Sequence, residues 1–262
     1  MLLDSEMRGR LHPKLIILRA LVMRDLMMRY GRGNIGFVWV VLEPMLLCVG
    51  VMVIWSLMGG SKGGVKVIEV VLTGYMPLTL WRHLTNGTIG LFRTSASLLY
   101  HRRVSLLDIM VGRYVLEFIG TTAALLLIWL VLYAADALEF PPRLDLIFLG
   151  WLMMGLIAAI SGIGFAVVTE RSEAAERFIQ PLQYLNVPLS GCFFMVQWLP
   201  TWAQKLVLWH PHVHAYEVFR AGYFGDTVVA HYDLFYFFSF CLVLAFVMIL
   251  LFRGVREKLQ IT

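Results

Sequence analysis

Long apolar runs constrain this sequence more than any other feature. Residues 118–135 carry no charged side chain, and the same holds for residues 146–168 and 234–252. A fourth run, residues 37–58, contains a single acid, Glu43. Each run is close to the roughly 20 residues that an α-helix needs to cross about 30 Å of hydrocarbon. With 60% hydrophobic residues and a mean hydropathy of +0.76, the chain is predicted to be an all-α integral membrane protein.

Two further apolar runs are interrupted by polar residues or proline. Residues 65–92 include Glu69 and Pro77, and residues 178–199 include Pro181. Such residues are tolerated at membrane depth where they face protein or a watery cavity, so a transport pathway is expected beside these two segments. The sequence therefore predicts six transmembrane helices, over residues 36–58, 66–92, 109–135, 146–168, 178–199 and 233–253.

The distribution of lysine and arginine predicts the orientation of these spans. With both termini in the cytoplasm, most basic residues fall on the inner side, including Arg102, Arg103 and Arg171. The outer side then holds few, among them Arg143 and Lys205. Cytoplasmic loops are enriched in lysine and arginine, so a multi-pass membrane protein with both ends in the cytoplasm is expected. The basic residues form no separate domain, which makes nucleic acid a poor partner.

The segment before the first span differs from the spans. Leu15, Leu18 and Leu26 recur at helical spacing, with Arg19 and Arg24 between them. This pattern predicts an amphipathic helix over residues 11–33 that lies along the cytoplasmic headgroups. A solvated N-terminal helix is the alternative.

Three glycines after this helix match a dinucleotide-binding fingerprint. Gly31, Gly33 and Gly36 have the spacing G-x-G-x-x-G. That site requires a preceding strand and an acid about 20 residues further on, whereas here a basic amphipathic segment precedes and a span follows. The match is interpreted as accidental, with the glycines allowing a sharp turn into the membrane.

The loop between the second and third predicted spans, residues 94–108, is short and basic. It has an apolar group just before three basic or ionisable residues. Two interpretations stay open: a positive-inside anchor, or a short helix that docks on a cytoplasmic partner. The candidate docking residues are Ser97, Leu98, Leu99, Tyr100, His101, Arg102 and Arg103.

The outer segment, residues 200–231, is too long for a tight turn and rich in aromatic residues, and we interpret it as an external re-entrant segment. His210, His212 and His214 alternate within it. Alternate histidines share one side of a strand, but Pro211 intrudes and a helix would scatter them, so no metal site is predicted.

Charged and small residues inside the spans suggest helix packing. The charges are Glu43, Arg82, Arg113 and Glu117, and pairing of Glu43 with Arg82 or Arg113 would lower their cost in the membrane. Ala158, Gly162 and Ala166, spaced four apart, form a small-residue stripe that favours close packing, within the chain or between two copies.

Several segments resemble the permeases of ABC-2 type transporters. The stretch LRALVMRDLMMRYGRGNIGFVWVVLEP resembles their N-terminal signature, and LTGYMPLTLWR resembles their second span. SLLYHRRVSLLDIMVGRYVLE resembles the capsular polysaccharide export branch, also called polysaccharide/polyol phosphate exporters. A family Asn-Pro motif with a following Glu and Arg is matched by Pro211, Glu217 and Arg220, although His210 stands where asparagine is usual.

The resemblance implies a homodimeric ABC-2 (type V exporter) transmembrane domain. Two separate ATP-binding subunits would lie beneath it and hold ATP and Mg, while this chain binds no cofactor. The segment from Ser97 to Arg103 would be the coupling helix, and Arg24, Asp25, Arg29 and Tyr30 would belong to the interface helix. The substrate would be a lipid-linked capsular polysaccharide, with a periplasmic adaptor and an outer-membrane polysaccharide export protein as further partners.

Sugars stack on aromatic rings, so aromatic residues in the predicted spans are candidates for the channel wall. The alternative for each residue is a place in the aromatic belt at the membrane–water interface. The candidate channel residues are Trp39, Tyr75, Trp81, Arg82, Trp151, Tyr184 and Trp198.

Three other functions stay open. Export of another glycan, such as O-antigen or teichoic acid, or of a small molecule, fits the same family. An ATP-independent channel or secondary transporter would predict internal repeats, and no convincing repeat is found. A membrane enzyme would need a cluster of catalytic groups, but the sequence contains no Walker A motif, nucleophile elbow or HExxH motif.

Overall fold

The computed structural model of the chain describes residues 14–27, 35–57, 65–95, 98 and 104–261. This described part is helical and contains no β-strand. Two 3-10 turns, Val196–Trp198 and Gly225–Thr227, flank the two helices of the outer segment. The α-helices are α1 (14–27), α2 (Ile35–Leu57), α3 (Val67–Asn86), α4 (Leu91–Thr94), α5 (Leu106–Ala134), α6 (Leu144–Arg171), α7 (Glu173–Leu189), α8 (Thr201–Val207), α9 (Pro211–Phe224) and α10 (Leu234–Ile261).

Three of the described helices are long and apolar enough to cross a membrane. They are α5, α6 and the Leu234–Gly254 part of α10, and a shorter apolar stretch, Val41–Trp55, lies in α2. Half of the apolar window of α6 is buried inside the chain, against 11% for α10. Helix α6 is therefore the centre of the fold, with α3, α7, α9 and α10 packed around it, and α10 turns most of its apolar surface outward.

Local sequence signals fix several helix ends. Ser105 and Asp108 form a capping box at the start of α5: the Asp108 amide donates to Ser105 Oγ (3.1 Å), and the Ser105 amide donates to Asp108 Oδ2 (3.0 Å). Ser172 caps α7 by accepting from the Ala175 amide. Pro211 occupies the first turn of α9, where its missing N–H costs nothing.

Helix α7 differs from the predicted fifth span at both ends. It starts at Glu173 rather than residue 178, and it ends at Leu189 rather than residue 199. Its 17 residues reach about 26 Å at 1.5 Å per residue. The helix ends there because Gly191, with φ of 96°, redirects the chain through a conformation that favours glycine.

Helix α3 also ends earlier than predicted for the second span. It ends at Asn86, and a turn over residues 87–90 leads into α4. Gly90 adopts φ of 62° in this turn. The apolar run that extends to residue 92 is thus divided between two helices.

Helices α6 and α9 approach each other through two glycines. A Cβ atom at Gly150 would lie 2.5 Å from the Phe219 amide nitrogen, and one at Gly222 would lie 2.5 Å from the Ile147 amide nitrogen. The Arg143 amide also donates to the Gly222 carbonyl (3.2 Å). This contact holds α9 against the first turns of α6.

The small-residue stripe of α6 is covered within the chain. Ala158 and Ala166 are buried. A Cβ atom at Gly162 would lie 2.5 Å from the Tyr114 hydroxyl, which donates to the Ala159 carbonyl (2.8 Å). At Gly162 the stripe therefore leaves room for Tyr114 of α5 and for Thr88.

Candidate functional site

Charged residues from several helices meet near the end of α6. Asp25 of α1 is only 5% exposed, and its carboxylate lies 2.8 Å from the neighbouring Arg24 and 3.2 Å from Arg113 Nε of α5. Arg113 also donates to the Gly87 carbonyl, just after α3. A single arginine therefore joins α1, the end of α3 and α5.

A second set of contacts joins the α3–α4 turn to the α6–α7 corner. The Gly90 amide donates to Thr169 Oγ1 (3.1 Å), and Arg93 donates to the Thr169 carbonyl (3.4 Å). Arg93 also forms an ion pair with Glu176 of α7. We call the contacts of Asp25, Arg93, Arg113, Thr169 and Glu176 the basic junction.

An apolar cluster underlies the basic junction. It contains residues of α1, α4, α5, α6 and α10, and the rings of Phe92 and Phe252 meet edge to face with their centroids 5.9 Å apart. Leu98 packs on this cluster. Close packing makes such a cluster incompressible, so a displacement of α1 or α4 is passed to the neighbouring helices.

One turn above Arg113, a polar pair joins α3 to α5. His83 Nδ1 lies 3.1 Å from Glu117 Oε2, and Glu117 is almost fully buried. From the sequence, Glu43 was the expected partner of Arg82 or Arg113. The structure instead places Asp25 beside Arg113, and Arg82 over the Tyr184 ring at 5.4 Å from the centroid.

Most of the predicted coupling segment lies outside the described residues. Of Ser97 to Arg103, the structure describes only Leu98, whose amide donates to the Ser95 carbonyl (3.0 Å). Arg29, Tyr30, Gly31 and Gly33 also lie outside the described part of the chain. Leu98 and Val104 of this segment pack against the apolar cluster beneath the basic junction.

The candidate channel aromatics fall into two groups. Trp39 of α2 and Tyr184 of α7 are exposed, with 47% and 60% of their surfaces open, whereas Tyr75 and Trp198 are half-buried against the core. Trp81 and Trp151 are both buried inside this chain. Trp151 Nε1 donates to Thr122 Oγ1 (2.9 Å), so its ring stabilises helix packing and does not line an open wall in this structure.

At the other end of α6, two charged side chains of α9 hold the adjoining loops. The fully buried Arg220 donates to the carbonyls of Gly191 (2.8 Å), Cys192 (2.9 Å) and Phe194. Glu217, one helical turn away, accepts from the amides of Val196 (3.2 Å) and His231 (2.9 Å). We call Glu217 and Arg220 the α9 clamp.

The α9 clamp requires a close approach of α3. A Cβ atom at Gly74 would lie 2.2 Å from the Cys192 carbonyl oxygen and 3.2 Å from the Arg220 guanidinium. Only glycine leaves room for the loop at this point. The family motif therefore has a visible structural role here, which is to fix the chain that follows α7.

The three alternating histidines do not converge on a common point. His214 bonds to backbone atoms on both sides, whereas His212 is buried with its ring against Trp81 (5.4 Å between centroids). Burial and the neighbouring His214 lower the pKa of His210, and burial and His210 lower the pKa of His212 well below its ordinary value. Among the described residues, no group of three or more His, Cys, Asp or Glu side chains could hold a metal ion.

Sequence reasoning missed four members of these sites, each a polar residue in or beside an apolar run and outside any recognised motif. They are His83, Arg93, Thr169 and Glu176. Glu176 has a weak signal, because it follows Arg171 and stands beside Arg177 on the side predicted to be cytoplasmic.

Comparison with known proteins gives one family. The model of the ABC-2 type transporter family matches residues 17–224. This segment starts in α1, includes the basic junction and ends with the α9 clamp.

Several characterised proteins are similar over most of their length. The capsule polysaccharide export inner-membrane protein BexB of Haemophilus influenzae is 35% identical over 216 residues, 82% of each chain. CtrC of Neisseria meningitidis serogroup B, which has the same description, is 35% identical over 221 residues, 84% of this chain and 83% of its own. The polysialic acid transport protein KpsM of Escherichia coli is 24% identical over 255 residues, 94% of this chain and 96% of its own.

Proposed function

Since this chain belongs to the ABC-2 type transporter family, we propose that it is the permease subunit of an ATP-driven exporter of capsular polysaccharide. It would move a lipid-linked polysaccharide from the cytoplasm across the bacterial inner membrane. The observation that carries this proposal is the similarity to capsule export inner-membrane proteins across more than four fifths of both chains.

The assembly we propose contains two copies of this chain and two separate ATP-binding subunits. ATP and Mg belong to those subunits, where hydrolysis takes place. The membrane domain has six spans with both termini in the cytoplasm, since that arrangement places most lysines and arginines inside. A periplasmic adaptor and an outer-membrane export protein receive the polysaccharide.

In this orientation the basic junction lies at the cytoplasmic side, next to the coupling segment 94–108. Closure of the ATP-binding subunits pushes on α1 and on the coupling segment. Asp25 passes the movement to Arg113 of α5 and, through Gly87, to the end of α3. Arg93 passes it to Glu176 of α7, the helix that carries the exposed Tyr184.

The α9 clamp then lies on the outer side. Phe219, between its two residues, meets Gly150, which is about 29 Å along α6 from Thr169. The clamp fixes the loop after α7 relative to α9, so α7 moves while its outer loop stays in place. Exposed Trp39 and Tyr184 are the aromatics best placed for the sugar pathway, since their rings are open on the surface of a single chain.

The first test is purification of the tagged chain, expressed with its neighbouring genes, followed by an ATPase assay on the proteins that co-elute. A stable complex that hydrolyses ATP is expected. Reversal of Arg102 and Arg103 to glutamate should uncouple hydrolysis from polysaccharide export, whereas Arg143→Gln, an exposed arginine on the proposed outer side, should not. Failure to capture any ATPase, even by cross-linking, would contradict the proposal and favour an ATP-independent channel.

A further inference from the structure

A cleft of about 570 Å³ lies between the end of α8 and the start of α10. The outward surface of α8 adjoins this cleft and shares Lys205 and Trp209 with it. Sites for small ligands occupy roughly 300–1,000 Å³. A cleft of this volume has room for a short segment of a chain-like ligand.

The wall of the larger cleft is held firmly in place. The Asp233 amide donates to His214 Nδ1 (2.9 Å), so the proton of this ring lies on Nε2, which donates to the Leu208 carbonyl (2.8 Å). The Tyr236 hydroxyl donates to the Trp209 carbonyl (2.6 Å). These bonds fix the end of α8 against α10, and a fixed site loses little entropy when it binds a ligand.

The lining of the cleft combines aromatic rings with charges of both signs. Trp209 is 78% exposed, and Tyr232 and Tyr236 lie beside it. Lys205 and Asp233 supply a cation and an acceptor. Aromatic faces for C–H surfaces and polar groups for hydroxyls are the two needs of a carbohydrate ligand.

An interfacial lipid anchor is the other occupant that exposed tryptophan suggests. An anchor needs an outward apolar surface. Trp202 and Leu206, 67% and 64% exposed, form such a surface along α8 together with Trp209. Beside that surface, the cleft itself is concave and carries Lys205 and Asp233. The concave shape and mixed charge favour a glycan.

We propose that this cleft binds an oligosaccharide segment of the exported polysaccharide on the outer side of the membrane. The proposal rests on the function proposed above and adds to it a binding site outside the membrane-spanning helices. Trp209 supplies the stacking surface, Lys205 and Asp233 bind hydroxyl or acidic groups of the sugars, and His214 and Tyr236 are positioning residues.

The test measures binding of oligosaccharides released from the surface polysaccharide of the source bacterium. The complete complex is purified in nanodiscs, and the dissociation constant is measured by calorimetry. Trp209→Ala is expected to weaken binding about tenfold or more, and Trp209→Phe about threefold or less. Phe235→Ala is the matched control, because Phe235 is 83% exposed and lies two residues from Asp233 without lining the cleft.

Brominated lipids in the nanodiscs give a second readout. If Trp209 lies in the cleft rather than in lipid, the brominated lipids remove the same absolute fluorescence intensity from wild type and from Trp209→Phe. Strong quenching of Trp209, or equal binding by Trp209→Ala and wild type, would overturn the proposal.

Export assays separate this proposal from the proposed function. If the wild-type complex exports polysaccharide while Trp209→Ala binds the oligosaccharides as tightly as wild type, the cleft proposal fails and the permease function stands. If the wild-type complex neither exports nor binds, both proposals fail.

Discussion

At the basic junction, charged side chains of different helices pair with one another as well as with two backbone carbonyls, whereas at the α9 clamp the charged side chains bind only backbone atoms of loops in the bonds described. The junction pairs include Asp25 with Arg113 and Arg93 with Glu176. At the clamp, Arg220 donates to three carbonyls and Glu217 accepts from two amides. A side-chain pair can stretch or exchange partners when helices move, but a buried side chain that satisfies several backbone groups fixes a loop. We therefore propose that the basic junction transmits movement, whereas the α9 clamp keeps the other end of α6 rigid.

The largest expected effect is on stability and comes from Arg220→Met. Three buried carbonyls lose their donor, and Glu217 loses a neighbouring positive charge, at a cost of about 3–5 kcal/mol. We expect little folded protein in detergent, measured as the monodisperse peak in fluorescence-detected size-exclusion chromatography. Arg143→Met, at an exposed arginine near the same end, is the matched control. A wild-type yield and melting temperature for Arg220→Met would remove the distinction between the two regions.

The next prediction is that Asp25 and Arg113 stabilise the folded protein as a pair. In a double-mutant cycle with Asp25→Ala and Arg113→Ala, a coupling free energy of unfolding of about 1–3 kcal/mol is expected, because both side chains are largely buried. Thermal or chemical unfolding of the purified complex gives the four values. The single variants should also reduce export per ATP hydrolysed. Simple additivity of the two substitutions would mean that α1 and α5 are not coupled through this contact.

The sequence predicted the helical membrane class and a helix before the first span, because hydrophobic length and helical period are local properties. It did not predict the partners of Arg113 or Glu117, since these depend on how α1, α3 and α5 lie side by side. Arg220 was recognised as part of a motif, but its bonds to residues 191–194 depend on the turn at Gly191. Trp81 and Trp151 were indistinguishable from surface aromatics, because a tryptophan in an apolar run fits both a core and a channel wall.

A smaller effect on folding stability is expected when the pH is lowered, because two largely buried histidines lie near the outer end of α6. Because burial lowers the pKa of His210 and His212 in the folded protein, the unfolded chain binds more protons below the ordinary histidine pKa of about 6.5. Stability is therefore complete above that pH and falls as the pH drops below it. In His212→Phe, which keeps a ring against Trp81, the melting temperature should change less between about pH 7.5 and pH 5.

His231→Phe is the control for this pH series, because the ring of His231 is only half-buried. It should keep the wild-type pH dependence. If His212→Phe loses as much stability on acidification as the wild type, the buried neutral His212 is not the cause of the pH dependence. The rigidity of the outer end of α6 would then depend on the α9 clamp alone.

The smallest expected effect on stability is also the sharpest test of transmission. Arg93 and Glu176 keep 39% and 42% of their side-chain surfaces exposed, and exposed ion pairs contribute about 0–1 kcal/mol. Arg93→Glu should therefore leave the melting temperature almost unchanged, yet reduce polysaccharide export per ATP hydrolysed, because α4 no longer holds α7. The charge swap Arg93→Glu with Glu176→Arg should restore export, whereas Arg143→Gln, in an exposed pair with Asp145 near the start of α6, should have no effect. A large drop in the melting temperature of Arg93→Glu would mean that the junction is as rigid as the α9 clamp. Unchanged export by this variant would mean that Arg93 does not transmit movement to α7.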